Sequence, residues 1–128
     1  MEILKSNIDD SSVTVINLGD KIDSSTNRVY GEIDLDIETQ VKFVDYVNSI
    51  IEEDISKIVI NLENVSYIDS SGLWAIFESF KKADQRNIEL ILATPQKDVK
   101  RVLDITKIST KINVFKDKKN ALNYFTNK

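Results

Sequence analysis

Two short apolar runs, Lys57-Ile58-Val59-Ile60-Asn61-Leu62 and Ile88-Glu89-Leu90-Ile91-Leu92-Ala93, bracket a segment of helical period. No other feature constrains the fold as much. Each run is too short for a helix, rich in β-branched or aliphatic residues and bounded by turn formers, the pattern of a buried strand. Between them Leu73, Ile76, Phe77 and Phe80 recur at i, i+3, i+4 and i+7, one face of an amphipathic helix. Strand, helix and strand joined by short links predict parallel pairing with right-handed crossovers.

The remaining segments extend that alternation. After a turn-like cluster at Asp9-Asp10-Ser11-Ser12, Val13 to Leu18 reads as a strand and Gly19-Asp20 as the start of a turn. Residues 21–28 lack an apolar period and are read as a connection. Val29 to Leu35 reads as a second strand, near whose end Ile33, Leu35 and Ile37 alternate with Asp34, Asp36 and Glu38, apolar on one side and acidic on the other. Strands 13–18 and 29–35 are expected to open the fold as an antiparallel pair. A helix is predicted from about Thr39 to Asp54 on a stripe of Val41, Val44, Val47 and Ile51 flanked by Phe43 and Ile50. Further helices are predicted over Ser71–Gln85, over Lys97–Lys107 with Val99, Val102, Leu103 and Thr106 on one face, and over Lys118–Phe125 with Ala121, Leu122 and Phe125 inward. A short strand is predicted at Ile112–Phe115. The expected fold is one α/β domain over residues 1–128, its core at about 13–125: a mixed, mostly parallel sheet with an N-terminal antiparallel strand pair, covered by about four helices.

Composition removes most catalytic chemistry. The 128 residues contain no cysteine and no histidine, so disulfides, thiolate catalysis, zinc–thiolate sites and a Ser-His-Asp triad are all excluded. Three glycines, at 19, 31 and 72, cannot spell a phosphate-cradling loop or GxGxxG. No cofactor is called for. A metal on Asp34, Asp36 and Glu38 is conceivable, but alternate carboxylates on a strand are far more often simply solvated. A phospho-accepting receiver domain would use Asp69 at a strand end; it would also want an acidic pair after the first strand, and Asp9-Asp10 precedes it. A net charge of -4 divides unevenly, with 5 Lys/Arg against 14 Asp/Glu in residues 1–64 and 12 against 7 in residues 65–128. Direct nucleic-acid binding is therefore not expected. With no 18-residue apolar run and no signal-peptide pattern, no membrane span is expected and the predicted location is the cytoplasm.

The junction Asp69-Ser70-Ser71-Gly72-Leu73 stands where the extended segment gives way to the helix, at the carboxyl end of a strand, which is where partners and ligands meet parallel sheets. Serine or aspartate there caps the free N–H groups of a helix. A serine at the same place also suits a phosphate, which the positive helix end would hold while Asp69 repelled it. Both readings fit the bare pattern. Trp74 falls about 100° around the helix from Leu73, on a side with Glu78 and Lys81, so a large aromatic is predicted near the surface beside the serines. Interface anchor and packing over a strand end are the two roles open to it.

Three segments carry a resemblance. Gly31-Glu32-Ile33-Asp34, the central Asn61-Leu62-Glu63-Asn64-Val65-Ser66-Tyr67-Ile68-Asp69-Ser70-Ser71-Gly72-Leu73 and the helix Val99-Lys100-Arg101-Val102-Leu103-Asp104-Ile105-Thr106 resemble the STAS domain family, specifically the stand-alone bacterial anti-sigma factor antagonists. The resemblance implies a protein that switches partners and is not an enzyme. It implies phosphorylation at Ser70, with Ser71 the second candidate, by an ATP-dependent serine kinase that is also the anti-sigma factor, and reversal by a serine phosphatase. The unphosphorylated form would bind the kinase and free the sigma factor. Asp34, Asp69, Ser71, Gly72, Leu73 and Trp74 would belong to the partner-binding surface, and the protein would be a monomer or weak dimer. A scaffold or adaptor subunit of a larger complex is the alternative from another class. Two departures stand out: Trp74 replaces a residue that is often small, and the 19–30 loop is long.

Overall fold

The computed structural model describes residues 1–8 and 13–126. Its main sheet has five strands: β1 (Glu2–Asn7), β2 (Val13–Gly19), β6 (Lys57–Asn61), β8 (Glu89–Ala93) and β9 (Val114–Phe115), in the order β1-β2-β6-β8-β9. Only β1 runs antiparallel to its neighbour, with Glu2 opposite Gly19 and Asn7 opposite Thr14; β2, β6, β8 and β9 are mutually parallel. Two small ladders stand outside this sheet. β3 (Lys21–Asp23) and β4 (Arg28–Tyr30) form a hairpin, while β5 (Ile33–Leu35) lies parallel to β7 (Val65–Ile68). Four α-helices complete the described fold: α1 (Gln40–Ile51), α2 (Ser70–Gln85), α3 (Lys97–Ile105) and α4 (Lys118–Thr126).

The antiparallel pair is present, but with a different partner. β2 pairs with residues 2–7, and the segment expected as one strand at 29–35 is split at Gly31, whose φ of 84° turns the chain. Residues 21–28, expected as a plain connection, supply β3 and the turn. There Asp23 accepts hydrogen bonds from the backbone and hydroxyl of Ser25, and Asn27 takes φ 54°. The expected turn at Asp9-Asp10-Ser11-Ser12 lies outside the described residues.

Strand alternation sorts the core into two layers. Ile16, Leu18, Ile58, Ile60, Leu90 and Leu92 face α1, α2 and α3, meeting Phe43, Val47, Ile76 and Leu103. Val13, Val15, Val59, Ile91 and Ala93 face the opposite way and are covered by Ala121 and Phe125 of α4. Helix phasing differs from expectation in two places. On α1 the buried residues are Phe43, Val47, Ile50 and Ile51, leaving Val41 62% exposed. On α2 the innermost residues are Gly72, Ala75, Ile76, Ser79 and Ala83, and Leu73, Phe77 and Phe80 flank them half-buried. Small side chains let a helix axis approach its support closely, so they take the centre of the contact and the larger ones splay to its edges.

Candidate functional site

The strand that feeds the junction is β7, a four-residue segment without a clear period, and its partner β5 brings the acidic strand end alongside. Asp34 lies opposite Tyr67 and Leu35 opposite Ile68. One step further on, the N–H of Asp69 donates to the carbonyl of Leu35 at 3.3 Å. Asp34 and Asp69 thus each lie within one residue of a single backbone contact.

Gly72 makes that contact possible. A Cβ placed there would stand 2.1 Å from the Leu35 oxygen and 2.8 Å from Ile68 Cγ1, far inside contact distance. The first turn of α2 therefore rests directly on the end of β5. From the other side the Thr39 hydroxyl donates to the carbonyl of Asp34 at 2.8 Å and accepts from the N–H of Asp36 at 2.9 Å. The Asp36 carboxylate takes the N–H of Glu38 at 3.0 Å. These bonds turn the chain out of the strand immediately after Leu35. Ile37, expected on the buried side with Ile33 and Leu35, is consequently 67% exposed.

The cap is held by Asp69. Its carboxylate accepts from the N–H groups of Ser71 at 2.9 Å and Gly72 at 3.2 Å, and its backbone is extended. Ser70 is the first helical residue, exposed, and its hydroxyl makes no hydrogen bond among the described residues. Cap and exposed hydroxyl are therefore adjacent residues with separate tasks, a distinction the bare sequence left open. Ser71 is half-buried, Gly72 is buried, and Leu73 packs partly against the core.

Trp74 stands at i+4 from Ser70, on the same helix face and about 6 Å away between Cβ atoms. It is 52% exposed, as its helical position predicted. Beyond it Lys81 pairs with Glu78 at 2.9 Å and sits 5.6 Å over the ring of Phe77. Tyr67, Ile37 and Val41 are the exposed apolar residues that the sequence reading did not assign to this surface. The elements that meet at this junction carry exposed residues of both kinds: Trp74, Tyr67, Ile37 and Val41 are apolar or aromatic, and Asp34, Glu38 and the partly exposed Asp36 and Asp69 are acidic. Among the described residues no cluster of three or more acidic, histidine or cysteine side chains is arranged to hold a metal ion, and no helix is long and apolar enough to cross a membrane.

A mixed sheet with helices on both faces, and an unbonded hydroxyl at the head of a helix that a glycine contact locks to a neighbouring strand, define a small α/β domain. The chain belongs to the STAS domain family, whose model matches residues 11–121. It is similar to the anti-sigma-B factor antagonist of Staphylococcus aureus, 27% identical over 97 residues that make up 73% of this chain and 90% of that protein. Among solved structures, the unphosphorylated form of the anti-sigma factor antagonist SpoIIAA aligns over 99% of this chain and 98% of its own, with a TM-score of 0.72 at 16% identity. An anti-sigma factor antagonist from Mycobacterium paratuberculosis aligns over 96% and 93%, with a TM-score of 0.74 at 15% identity. A sulfate transporter family protein from Wolinella succinogenes aligns over 92% and 88%, with a TM-score of 0.72 at 16% identity. Such likenesses establish the fold.

Proposed function

We propose that this protein is an anti-sigma factor antagonist that exchanges partners according to the phosphorylation state of Ser70. The observation that carries the reading is the exposed, uncommitted hydroxyl of Ser70 beside a cap held independently by Asp69. The names of its relatives point the same way. The partner is an anti-sigma factor serine kinase, which supplies ATP, base and metal in trans, and a serine phosphatase restores the hydroxyl. Unphosphorylated, the Ser70 surface receives the kinase: Trp74 and Tyr67 offer apolar anchorage, Asp34 and Asp69 offer negative charge to basic groups, and Gly72 holds α2 against β5 so that these stand at fixed spacing. Phosphate at Ser70 adds a dianion to an already acidic surface, and repulsion with loss of fit releases the partner.

Incubation with an anti-sigma factor serine kinase from the same organism and ATP, followed by peptide mapping, tests the chemistry; an unmodified Ser70 and Ser71 would sink it. Binding measurements test the switch. Ser70→Asp is expected to weaken kinase binding by about tenfold or more, the scale of one lost charge-assisted contact, while Ser70→Ala preserves it. Equal affinities for the two variants would leave Ser70 as ordinary helix surface.

A further inference from the structure

The sheet face under α4 carries a second feature, built from residues that take no part in the Ser70 surface. Register across β2, β6 and β8 sets in-line rows on this face: Val15, Val59 and Ile91 in one, Asn17, Asn61 and Ala93 in the next. Helix α4 packs its Ala121 and Phe125 on the apolar members, while Asn61 is buried and Asn17 half-buried in the row beside them. Asparagine is depleted in strands, yet here two of them face each other in adjacent central strands. Their amides form a continuous chain. The N–H of Glu63 donates to Asn61 Oδ1 at 3.2 Å, Asn61 Nδ2 to Asn17 Oδ1 at 3.1 Å, and Asn17 Nδ2 to Ser6 Oγ and the carbonyl of Leu4, each at 3.2 Å.

Beside this polar floor lies a cavity of about 320 Å³, at the small end of small-molecule sites, which run from about 300 to 1,000 Å³. Its walls come from five separate parts of the chain: Ser6 of β1, Asn17 of β2, Asn27 and Arg28 of the β3–β4 hairpin, Glu63 after β6, and Lys118 at the start of α4. Lys5 also lines it, but its ammonium is committed to Glu53 at 2.6 Å. Arg28 and Lys118 are exposed and have no ion-pair partner among the described residues.

We infer that this cavity binds a small phosphorylated, hydroxyl-bearing molecule of the sugar-phosphate class. Arg28 and Lys118 supply two cations for a phosphate group, the guanidinium through paired N–H donors and the ammonium as a point charge. Glu63, an acceptor only, suits hydroxyl hydrogens, and the amide of Asn27 serves either need, while Asn17, its amide already committed within the chain, forms part of the floor. Free phosphate would use the cations and be repelled by Glu63. An uncharged sugar would leave the cations unused. A ligand with both groups satisfies all of them.

Titration of the ¹⁵N-labelled full chain with glucose 6-phosphate, ribose 5-phosphate, glucose and inorganic phosphate tests this, read at the side-chain amides of Asn17 and Asn27 and the backbone amides of Glu63 and Lys118. Saturable shifts are expected with at least one sugar phosphate, binding about tenfold weaker with inorganic phosphate, and no response to glucose. Arg28→Gln and Lys118→Gln should each weaken sugar-phosphate binding by about tenfold. Glu63→Gln should weaken the sugar phosphate and strengthen inorganic phosphate. The inference is overturned by the absence of saturable shifts with both sugar phosphates, by an equal response to glucose, or by undiminished binding in both cation variants. Because the cavity shares no residue with the Ser70 surface, the outcome is independent of whether Ser70 is phosphorylated.

Discussion

The two faces of the five-stranded sheet are made by alternate residues of the same strands, and they are finished differently. Ile16, Ile60 and Leu92 form a row under three helices, in which every position is apolar and fully enclosed. One residue along, Asn17, Asn61 and Ala93 form a row in which Asn61 and Ala93 are buried and Asn17 is half-buried. The same strands thus carry only aliphatic side chains in one row and two amides in the next. Those amides are paired sideways, so that the polar atoms brought inside are not stranded.

Substitutions on either face can break this comparison. Phe43→Ala, on the inner side of α1 against the three-helix face, is expected to cost about 3–5 kcal/mol in denaturant unfolding, since the ring is fully enclosed. A loss under about 1 kcal/mol would mean that this face is less tightly built than its burial implies. Gly72→Ala should follow at about 3 kcal/mol, because the backbone oxygen of Leu35 cannot yield as a side chain could; its gain in helix propensity, about 1 kcal/mol, works against the loss. On the opposite face Phe125→Ala is expected to cost about 2 kcal/mol, less than a central ring, as a terminal helix can loosen locally. Native-state hydrogen exchange should place that loosening in α4 alone.

Smaller effects test the amide row. Asn61→Val leaves the N–H of Glu63 and the side-chain oxygen of Asn17 unpaired, for a cost of about 1–2 kcal/mol, and adding Asn17→Val should cost less than it does in the wild-type background, because the oxygen it removes is already unpaired. Additive losses would show that the two amides are not one unit. The smallest expected effect lies on α3. The Lys100 ammonium, hydrogen-bonded to Asp104, and then the Ser109 hydroxyl hold the Asp104 carboxyl below its ordinary value of 3.8. Lys100→Gln should raise it towards that value in an NMR titration. The sign follows: a carboxyl lowered by folding favours the folded state above its unfolded pKa, and this contribution fades as pH falls through the lowered one.

Much of this architecture is legible before any coordinates, and the misses share a cause. The helices and the strands at 57–61 and 89–93 carry strong local patterns and stand within about three residues of their predicted bounds, α1 ending three residues before the expected Asp54. Residues 2–7, 21–23, 28–30 and 65–68 carry almost none, because what makes them strands is the neighbour each one pairs with. Helix faces were misphased where size was read as burial: Gly72, Ala75, Ser79 and Ala83 lie deepest on α2 because they are small. At the site, the junction and the exposure of Trp74 were readable from spacing. Which of three polar residues capped the helix was not, since aspartate and serine serve that position equally well and only the hydrogen bonds of Asp69 decide between them.

That decision bears on how a signal would leave the molecule. With the N–H groups of Ser71 and Gly72 already satisfied by Asp69, a phosphate on Ser70 finds little local stabilisation to collect and no helix to rescue or melt. The free energy of adding the charge is therefore not absorbed by refolding at home. On the reading proposed above, the added charge would act through its repulsion of whatever sits on that surface, so affinity would change while the fold barely moved.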